Sequence, residues 1–564
     1  MSYDLLEEKW IPVRCKSGAR RFIAPWQIVE TADPPIDIDT GRPDFDCAGI
    51  QFLIGLLQTA YTPPDEASWR RFHDRPPTAE QLRTVLGKLS GKFELLGDGA
   101  RFMQDLSLRG TLLDKKANEK QKLPGEAVPI QTVLVDCPGG GSHFAKANDT
   151  FAVGAAGAAF ALLSMQLNAP GSGRGYRTSI RGGGPLTTWV VGGNLWETAW
   201  GNVLYGGLAG PWAHVPGCDG MAAGPESMPW LADWHAGDMA RGEGKIESRE
   251  ASKLLHFWAM PMRFWLMEPG EDRLCDLLPR GREPCFAKIA RSHHGLDYGS
   301  TFQHPLSPHF EGKKGIRCVP AKRDAVVYSQ WPKLATTAKD QGCKGVGAAL
   351  VVRNALLLAP DRHLAVAVAG YDSKSANARA WVSGQLPLLP MLDPNAADSL
   401  RSAAERSTAA AEHVARLLCD SVRAALLGPK DKRGRAFGGD TKARLLDRFW
   451  STTEADFYRA LHSLRDAIAS GENTADDGRQ AEIQSAWCAS LFSGAVGLFD
   501  EATQLLGYWE VSAVRRIAKA RELLLSNTKP ECNAMRKHVG LGPVRRGVRA
   551  THERGQPARK LVEG

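Results

Sequence analysis

The eleven cysteines of this chain, at positions 15, 47, 137, 218, 275, 285, 318, 343, 419, 488 and 532, stand singly, and no two have the two-residue separation of a zinc knuckle. That scatter fits a reduced, cytosolic protein. Long hydrophobic runs are missing too. The longest, from Ala152 to Leu163, contains two glycines and falls well short of the roughly 20 residues that cross a bilayer, which excludes a membrane span. The opening Met-Ser-Tyr-Asp-Leu-Leu-Glu-Glu-Lys-Trp is acidic where a signal peptide needs a basic start and an apolar core. Catalytic signatures are equally scarce. There is no phosphate-cradling Gly-x-x-x-x-Gly-Lys-Ser/Thr loop, no nucleophile elbow, no His-Glu-x-x-His helix, and no carboxylate cluster of the kind a two-metal nuclease needs. Nor does a repeat at the period of a solenoid or propeller occur. Together these absences point to a binding protein that is not an enzyme.

What is present fills more than one core. At 564 residues and 43% hydrophobic content the chain is globular and long enough for two or three domains. The formal charge is +9, from 71 basic and 62 acidic residues, an excess that matters only where it is concentrated. Up to residue 392, short β-rich pieces at 186–191, 263–267 and 363–369 alternate with glycine- and proline-rich loops, the pattern of an α+β body with long connections. Beyond it the pattern is helical. Asp393-Pro394 offers an N-cap and a proline at the first helical position, and Leu400, Ala403, Ala404, Ala411, Val414, Leu418, Val422 and Ala425 recur at helical spacing up to Gly428-Pro429. A second helix is expected to begin at the capping box Ser451-Thr-Thr-Glu454, with Phe457, Leu461, Leu464 and Ile468 on one face. A third runs from about Ala475 through Phe499, and a fourth holds Val514, Ile517 and Leu524. The expected fold class is α+β: a large mixed α/β N-terminal domain with long glycine-rich loops over 1–392, a C-terminal four-helix bundle over 393–540, and a flexible basic tail over 541–564.

The densest signal lies at 169–188, where six glycines and three arginines fall within twenty residues before an apolar strand resumes. Glycine leaves the backbone bare and free to take positive φ, so a large flat partner can approach the peptide N–H groups. Arg174, Arg177 and Arg181 supply charge that suits phosphate, which makes a polyanion the natural guest; the plain alternative is a pair of tight turns around a strand. A second loop, 138–150, mixes glycines with His143, Phe144, Ala145, Lys146 and Asn148, side chains able to enter a groove. Lys288, Arg291, Arg317, Lys322 and Arg323 form one further basic region, and Lys430, Lys432, Arg433, Arg435 and Lys442 another. Basic runs are often solvated faces, but several beside two glycine-rich loops favour a nucleic-acid partner. His293, His294, His304 and His309 lie close enough to suggest a metal, yet Asp297 and Glu311 complete no familiar ligand spacing. Cys275 and Cys285 have no second pair downstream.

Several ordered motifs share one resemblance. These are Leu5-Leu-Glu-Glu-Lys-Trp-Ile-Pro-Val13, Phe102-Met-Gln104, Ser179-Ile-Arg-Gly-Gly-Gly-Pro-Leu-Thr-Thr188, His304-Pro-Leu-Ser-Pro308 and Gly370-Tyr-Asp-Ser-Lys-Ser-Ala-Asn-Ala-Arg-Ala-Trp381. Over roughly residues 5 to 525 the chain resembles the CasA family, the large subunits of type I-E CRISPR Cascade complexes. The resemblance implies a noncatalytic subunit, without cofactor, that assembles with other Cascade proteins and a crRNA. Such a subunit reads the PAM of double-stranded DNA from the minor groove, helps open the duplex for R-loop formation, and recruits a helicase-nuclease.

Carried residue by residue, the family's glycine loop matches Gly171, Ser172, Gly173, Arg174 and Gly175, with Arg174 where a small residue is common. Its PAM-contacting loop matches His143, Phe144, Ala145 and Lys146, with Asn148 beside them, and its PAM-contacting lysine falls among Lys288, Arg291 and His293. The duplex-opening wedge matches Ser373, Lys374, Ser375 and Asn377. Lys374 and Ser375 replace an amide-bearing residue there, which favours an electrostatic hold on a displaced strand over stacking. Lys430, Lys432, Arg433, Arg435, Arg515, Arg516 and Lys519 are expected to guide that strand. Many relatives carry a Cys-x-x-Cys near Cys275; this chain does not, so no zinc is expected. Two other readings stand beside this one: a metal-dependent nucleic-acid hydrolase built on 293–309, and a scaffold that binds only protein.

Overall fold

A computed structural model describes residues 2–109, 126–137, 151–171, 176–206, 223–232, 245–246, 252–293, 295–299, 302–313, 315–324, 326–336, 346–358, 364–374, 377–391, 393–427, 437–471, 478–504 and 511–542. The chain divides into two compact units, 1–401 and 402–564.

Three short antiparallel strands open the first unit: β1 (Ile11–Cys15), β2 (Arg20–Ile23) and β3 (Pro35–Ile38), in the order β2-β1-β3. They lead into α1 (Pro43–Ala60), which starts with proline at its first turn and places Asp44 and Asp46 there, where carboxylates suit the helix dipole. Most of α1 is apolar around its whole circumference, and it is buried accordingly. After strand β4 (Glu126–Pro129), the apolar run that begins at Ala152 becomes α2 (Ala155–Asn168), every residue of which is buried. Trp10, Phe45, Phe52 and Phe160 lock α1 to α2, with ring centroids 4.8–5.7 Å apart. The run too short to cross a bilayer is thus a core helix. Among the described residues no helix is long and apolar enough to cross a membrane.

Two further three-stranded sheets carry candidate residues of the first unit. One joins β5 (Thr187–Val191), which runs into α3 (Leu195–Gly201), to two later strands. The other holds β6 (Arg263–Leu266) and β7 (Lys288–Ser292), with β7 antiparallel between β4 and β6. A buried ion pair, Arg263 Nε to Asp105 Oδ2 at 2.5 Å, fixes the start of β6, and Arg263 Nη1 also reaches the His293 carbonyl at 3.2 Å. The two later strands of the β5 sheet are β8 (Ala365–Lys374) and β9 (Asn377–Pro387), in the order β9-β8-β5. β8 pairs with β5 only over Ala365–Ala369; from Gly370 to Lys374 its strand partner is β9, so the hairpin runs past the end of β5.

The helical region comprises α4 (Pro394–Leu426), α5 (Gly439–Ala469), α6 (Gly478–Gln504), α7 (Val511–Thr528) and the short α8 (Asn533–His538). The α+β fold class holds, with its C-terminal helices packed as a bundle. Trp487 of α6 donates its indole N–H to the Ser407 carbonyl of α4 at 3.0 Å, Arg448 of α5 pairs with Glu501 of α6 at 2.6 Å, and Arg521 of α7 pairs with Asp500 of α6 at 2.7 Å.

One boundary differs from expectation. The second helix begins at Gly439, twelve residues before Ser451, and the supposed capping box lies mid-helix. There the Ser451 hydroxyl donates to the Arg448 carbonyl at 3.0 Å and Thr453 to that of Phe449 at 2.8 Å, so these hydroxyls bond back into the helix and cap nothing. Of the tail expected from 541, residues 543–564 lie outside the described residues.

Candidate nucleic-acid interface

The glycine segment divides into a loop and a foot. Pro170 and Thr178 form an isolated antiparallel bridge, and the Ser179 N–H donates to the Ala169 carbonyl at 3.2 Å, so the chain is pinched closed across the loop. Ser172, Gly173, Arg174 and Gly175 lie outside the described residues; Gly171, at φ +69°, begins the loop. The second glycine group serves the protein itself. A Cβ at Gly183 would stand 2.9 Å from the Pro170 carbonyl oxygen. One at Gly184, whose φ is +61°, would stand 2.7 Å from the Tyr371 carbonyl oxygen and 2.8 Å from the Ser373 hydroxyl. These glycines let the loop's foot and the β8–β9 hairpin approach backbone to backbone.

The arginines divide the same way. Arg181 is 5% exposed and points inward, donating from Nη1 to Thr187 and Ser307 at 2.9 and 3.3 Å and from Nη2 to Gln51 and the Leu167 carbonyl at 2.9 and 3.3 Å. Its expected role as a phosphate ligand is therefore corrected: it is a core group, and burial lowers its pKa to about 10. Arg177, half-buried, pairs with Asp297 at 3.0 Å.

Strand β7 meets the loop where it ends. The Arg291 guanidinium sits over the Tyr176 ring at 5.1 Å, and the Tyr176 and His293 rings are 4.5 Å apart. Lys288 is exposed at the other end of β7. Just before it, the Ala287 carbonyl accepts from the Ile130 N–H at 3.0 Å and the Phe286 carbonyl from Val153 at 3.1 Å. Both flanks of the 138–150 segment are thereby held beside β7, while His143, Phe144, Ala145, Lys146 and Asn148 lie outside the described residues.

The wedge residues occupy a hairpin end. Lys374 pairs with Asn377 across β8 and β9, both exposed; Ser373 is half-buried; Ser375 lies outside the described residues. Tyr371 and Trp381 stack edge to face at 4.8 Å, and Arg379 pairs with Asp372 at 2.6 Å, which stiffens the projecting arms. A chain of contacts thus runs from Arg291 and His293 through Tyr176, the Pro170–Thr178 bridge, Gly183 and Gly184 to Tyr371 and Ser373.

The family model for CRISPR-associated protein Cse1 matches residues 4–496 of this sequence. The chain belongs to that family. The same fold recurs in CasA of Thermus thermophilus, at 16% identity and a TM-score of 0.65, covering 93% of this chain and 99% of that one. It recurs in Cse1 of Acidimicrobium ferrooxidans, at 16% and 0.63, with coverage of 94% and 99%. A chain of a CRISPR RNA-guided surveillance complex matches at 14% and 0.66, with coverage of 93% and 100%.

The remaining candidates in this Cse1-family chain are scattered. In the second unit Arg515 and Lys519 are exposed on α7, but Arg516 is half-buried and donates its Nε to the Ala425 carbonyl at 2.9 Å, capping α4. Lys430, Lys432, Arg433 and Arg435 lie outside the described residues. Of the histidines, His294 lies outside the described residues. His304 is buried with both ring nitrogens engaged, Nε2 donating to the His256 carbonyl at 2.9 Å and Nδ1 accepting from the Leu306 N–H at 3.1 Å, so it has no lone pair left for a metal. Among the described residues no three His, Cys, Asp or Glu side chains group as metal ligands. Cys275 and Cys285 are both free thiols, and burial pushes Cys285 up to about 11.

Tyr176, which joins β7 to the glycine segment, escaped the sequence reading, and its signal was an aromatic standing directly after Gly175. Asp297, weighed in the sequence as an acid beside the histidines, instead engages Arg177.

Proposed function

We propose that this chain is the noncatalytic large subunit of a crRNA-guided Cascade complex, working in the cytoplasm with other Cascade proteins. It reads the PAM of double-stranded DNA, helps open the adjoining duplex, and recruits a helicase-nuclease once the R-loop has formed. Membership of the Cse1 family and the fold shared with a chain of an RNA-guided surveillance complex support the assembly. The observation that carries the DNA role is that the foot of the glycine segment is joined on one side, through Tyr176, to Arg291 and His293 and on the other, through Gly184, to the base of the Lys374 hairpin.

In this reading the 171–175 loop lies in the minor groove, where bare backbone N–H groups read width and acceptor pattern. Arg291 and the 143–148 segment contact the flanking backbone, and Lys374 holds a phosphate of the displaced strand. Unstacking costs about 1.4 kcal/mol per base-pair step, which guide pairing offsets once a few pairs have opened, so the protein has only to tip the first steps. Arg515 and Lys519 would then steer the displaced strand.

The test is the affinity of the reconstituted complex, with and without this subunit, across a library of PAM-flanked duplexes. Loss of PAM selectivity without it is the expected result; unchanged selectivity overturns the reading. Gly173→Trp provides the finer check, since a scaffold that binds only protein would keep its DNA binding unaltered.

A further inference from the structure

A cleft of about 430 Å³ lies between the opening β1–β3 sheet, the first turns of α1 and one face of the β9-β8-β5 sheet. Its size is that of a ligand pocket, and none of the residues assigned to DNA lines it. Strand register sets the floor. Trp189, Ala367 and Gln385 are paired across β5, β8 and β9, Thr187, Ala369 and Ser383 are paired two positions along, and Trp381 pairs with Tyr371. Residues directly opposite or two apart share a face, so Trp189, Ala369, Trp381, Ser383 and Gln385 stand on one side of the sheet. The small Ala369 is on the middle strand, with an indole on each neighbouring strand, which leaves a slot between aromatic walls.

The charges around the slot do not balance. Arg14 pairs with Asp37, and Arg20 Nε stands 2.7 Å from Asp39 Oδ2, but Asp46 has no cation among the described residues. Its Oδ1 accepts from the Thr40 N–H and hydroxyl at 2.8 and 2.7 Å, while its Oδ2 has no hydrogen-bond partner among the described residues. Burial, the main cause, pushes Asp46 up to about 6, so at neutral pH the carboxylate is held ionised at a cost that a cation relieves. Trp381 has the opposite deficit. Its indole Nε1 is shielded from solvent and finds no acceptor among the described residues.

These two deficits define the guest. A metal ion or a polyamine satisfies Asp46 but offers nothing to an indole N–H. A nucleotide brings phosphate to walls on which three carboxylates outnumber two guanidiniums. A peptide segment bearing arginine or lysine brings a cation and a carbonyl together, and indole faces attract the cation as well.

We propose that this cleft is a docking site for a basic side chain, arginine above all, carried on an extended segment of a partner protein, whose cation meets Asp46 and the two indoles and whose backbone carbonyl accepts from Trp381. The site requires neither DNA nor the PAM reading above.

Indole signals of the full-length chain, labelled with nitrogen-15 at its 16 tryptophans, test the site, and Trp189→Phe and Trp381→Phe identify the two that matter. The probe is the capped tripeptide acetyl-Gly-Arg-Gly-amide, which is expected to move those two signals with a Kd of about 1 mM. Asp46→Asn keeps an oxygen for Thr40 and removes the charge, and is expected to weaken the peptide about ten-fold or more. Ser383→Arg, at an exposed position, places a tethered guanidinium in the cleft; it should abolish the titration while leaving the urea midpoint unchanged, and it decides alone should Asp46→Asn fail to fold. Two signals unmoved at about 20 mM peptide overturn the proposal. An equal response to acetyl-Gly-Gln-Gly-amide, or undiminished binding by a folded Asp46→Asn, overturns the cationic guest. A tighter response to cytidine monophosphate or to free arginine overturns the protein partner in favour of a nucleotide or a metabolite.

Discussion

Arg181 and His304 both sit in motifs that suggested ligand chemistry, and burial gives each a different task. Arg181 makes its four hydrogen bonds to uncharged acceptors. Beside it, burial holds His304 well below the ordinary histidine value, with the Arg181 charge adding to the effect. His256 is likewise buried and lowered to about 4.

These histidines make stability depend on pH. The unfolded chain binds a proton at His256 near pH 6.5, whereas the folded chain stays neutral there down to about pH 4. Unfolding therefore takes up protons in that window. The stabilisation is complete above pH 6.5 and is lost as pH falls, by about 1.4 kcal/mol per pH unit for each such histidine. Urea unfolding of the first unit between about pH 7 and pH 5 should show this slope, and His256→Gln should flatten it by about half. A stability independent of pH over that range would contradict the assignment.

At the scale of elements, the same four residues can cap a helix or lie inside one. Ser451-Thr-Thr-Glu454 satisfies the capping pattern, yet Leu445 and Phe449 upstream continue the buried stripe of Thr453, Phe457, Leu461, Leu464 and Ile468, and packing decides for one long helix. The four-residue spacing of Leu445, Phe449, Thr453 and Phe457 was the legible signal. Thr452→Pro separates the cases, because Thr452 is exposed and would be the first helical residue if Ser451 were the cap. In the observed mid-helix position proline should cost about 3 kcal/mol, read as a lowered midpoint for the second unit in urea. An unchanged midpoint would restore the capping box.

The β8–β9 hairpin shows the opposite case. Its strands were half-legible as the run 363–369 and the motif from Gly370 to Trp381, but not their projection past β5, which depends on where a strand remote in sequence stops. Nor could Gly183 and Gly184 be assigned to backbone packing before Pro170 and Tyr371 were known to lie against them.

For the molecule as a whole, a net charge of +9 is too small to hold DNA without local concentration. The isolated chain is expected to bind duplex weakly, with log K falling linearly in log salt at a slope of about −0.9 per phosphate neutralised. Lys374→Ala should make that slope shallower by about 1, measured by anisotropy titration between about 50 and 200 mM salt, while Arg516→Ala should leave it unchanged because that side chain caps α4. A slope insensitive to Lys374 would remove the hairpin end from the phosphate contacts.

The sequence by itself determined the fold class, the helical character of the C-terminal part and the family, because each rests on local periodicity or on ordered motifs. Only the tertiary structure decided which arginines face inward, that Tyr176 bridges the glycine segment to β7, and that Arg42 joins Asp136 to Asp44. Those outcomes depend on contacts between residues far apart in sequence, 94 positions for Arg42 and Asp136 and 130 for Arg181 and Gln51, where side-chain chemistry states what a group can do and burial selects which of its partners it meets.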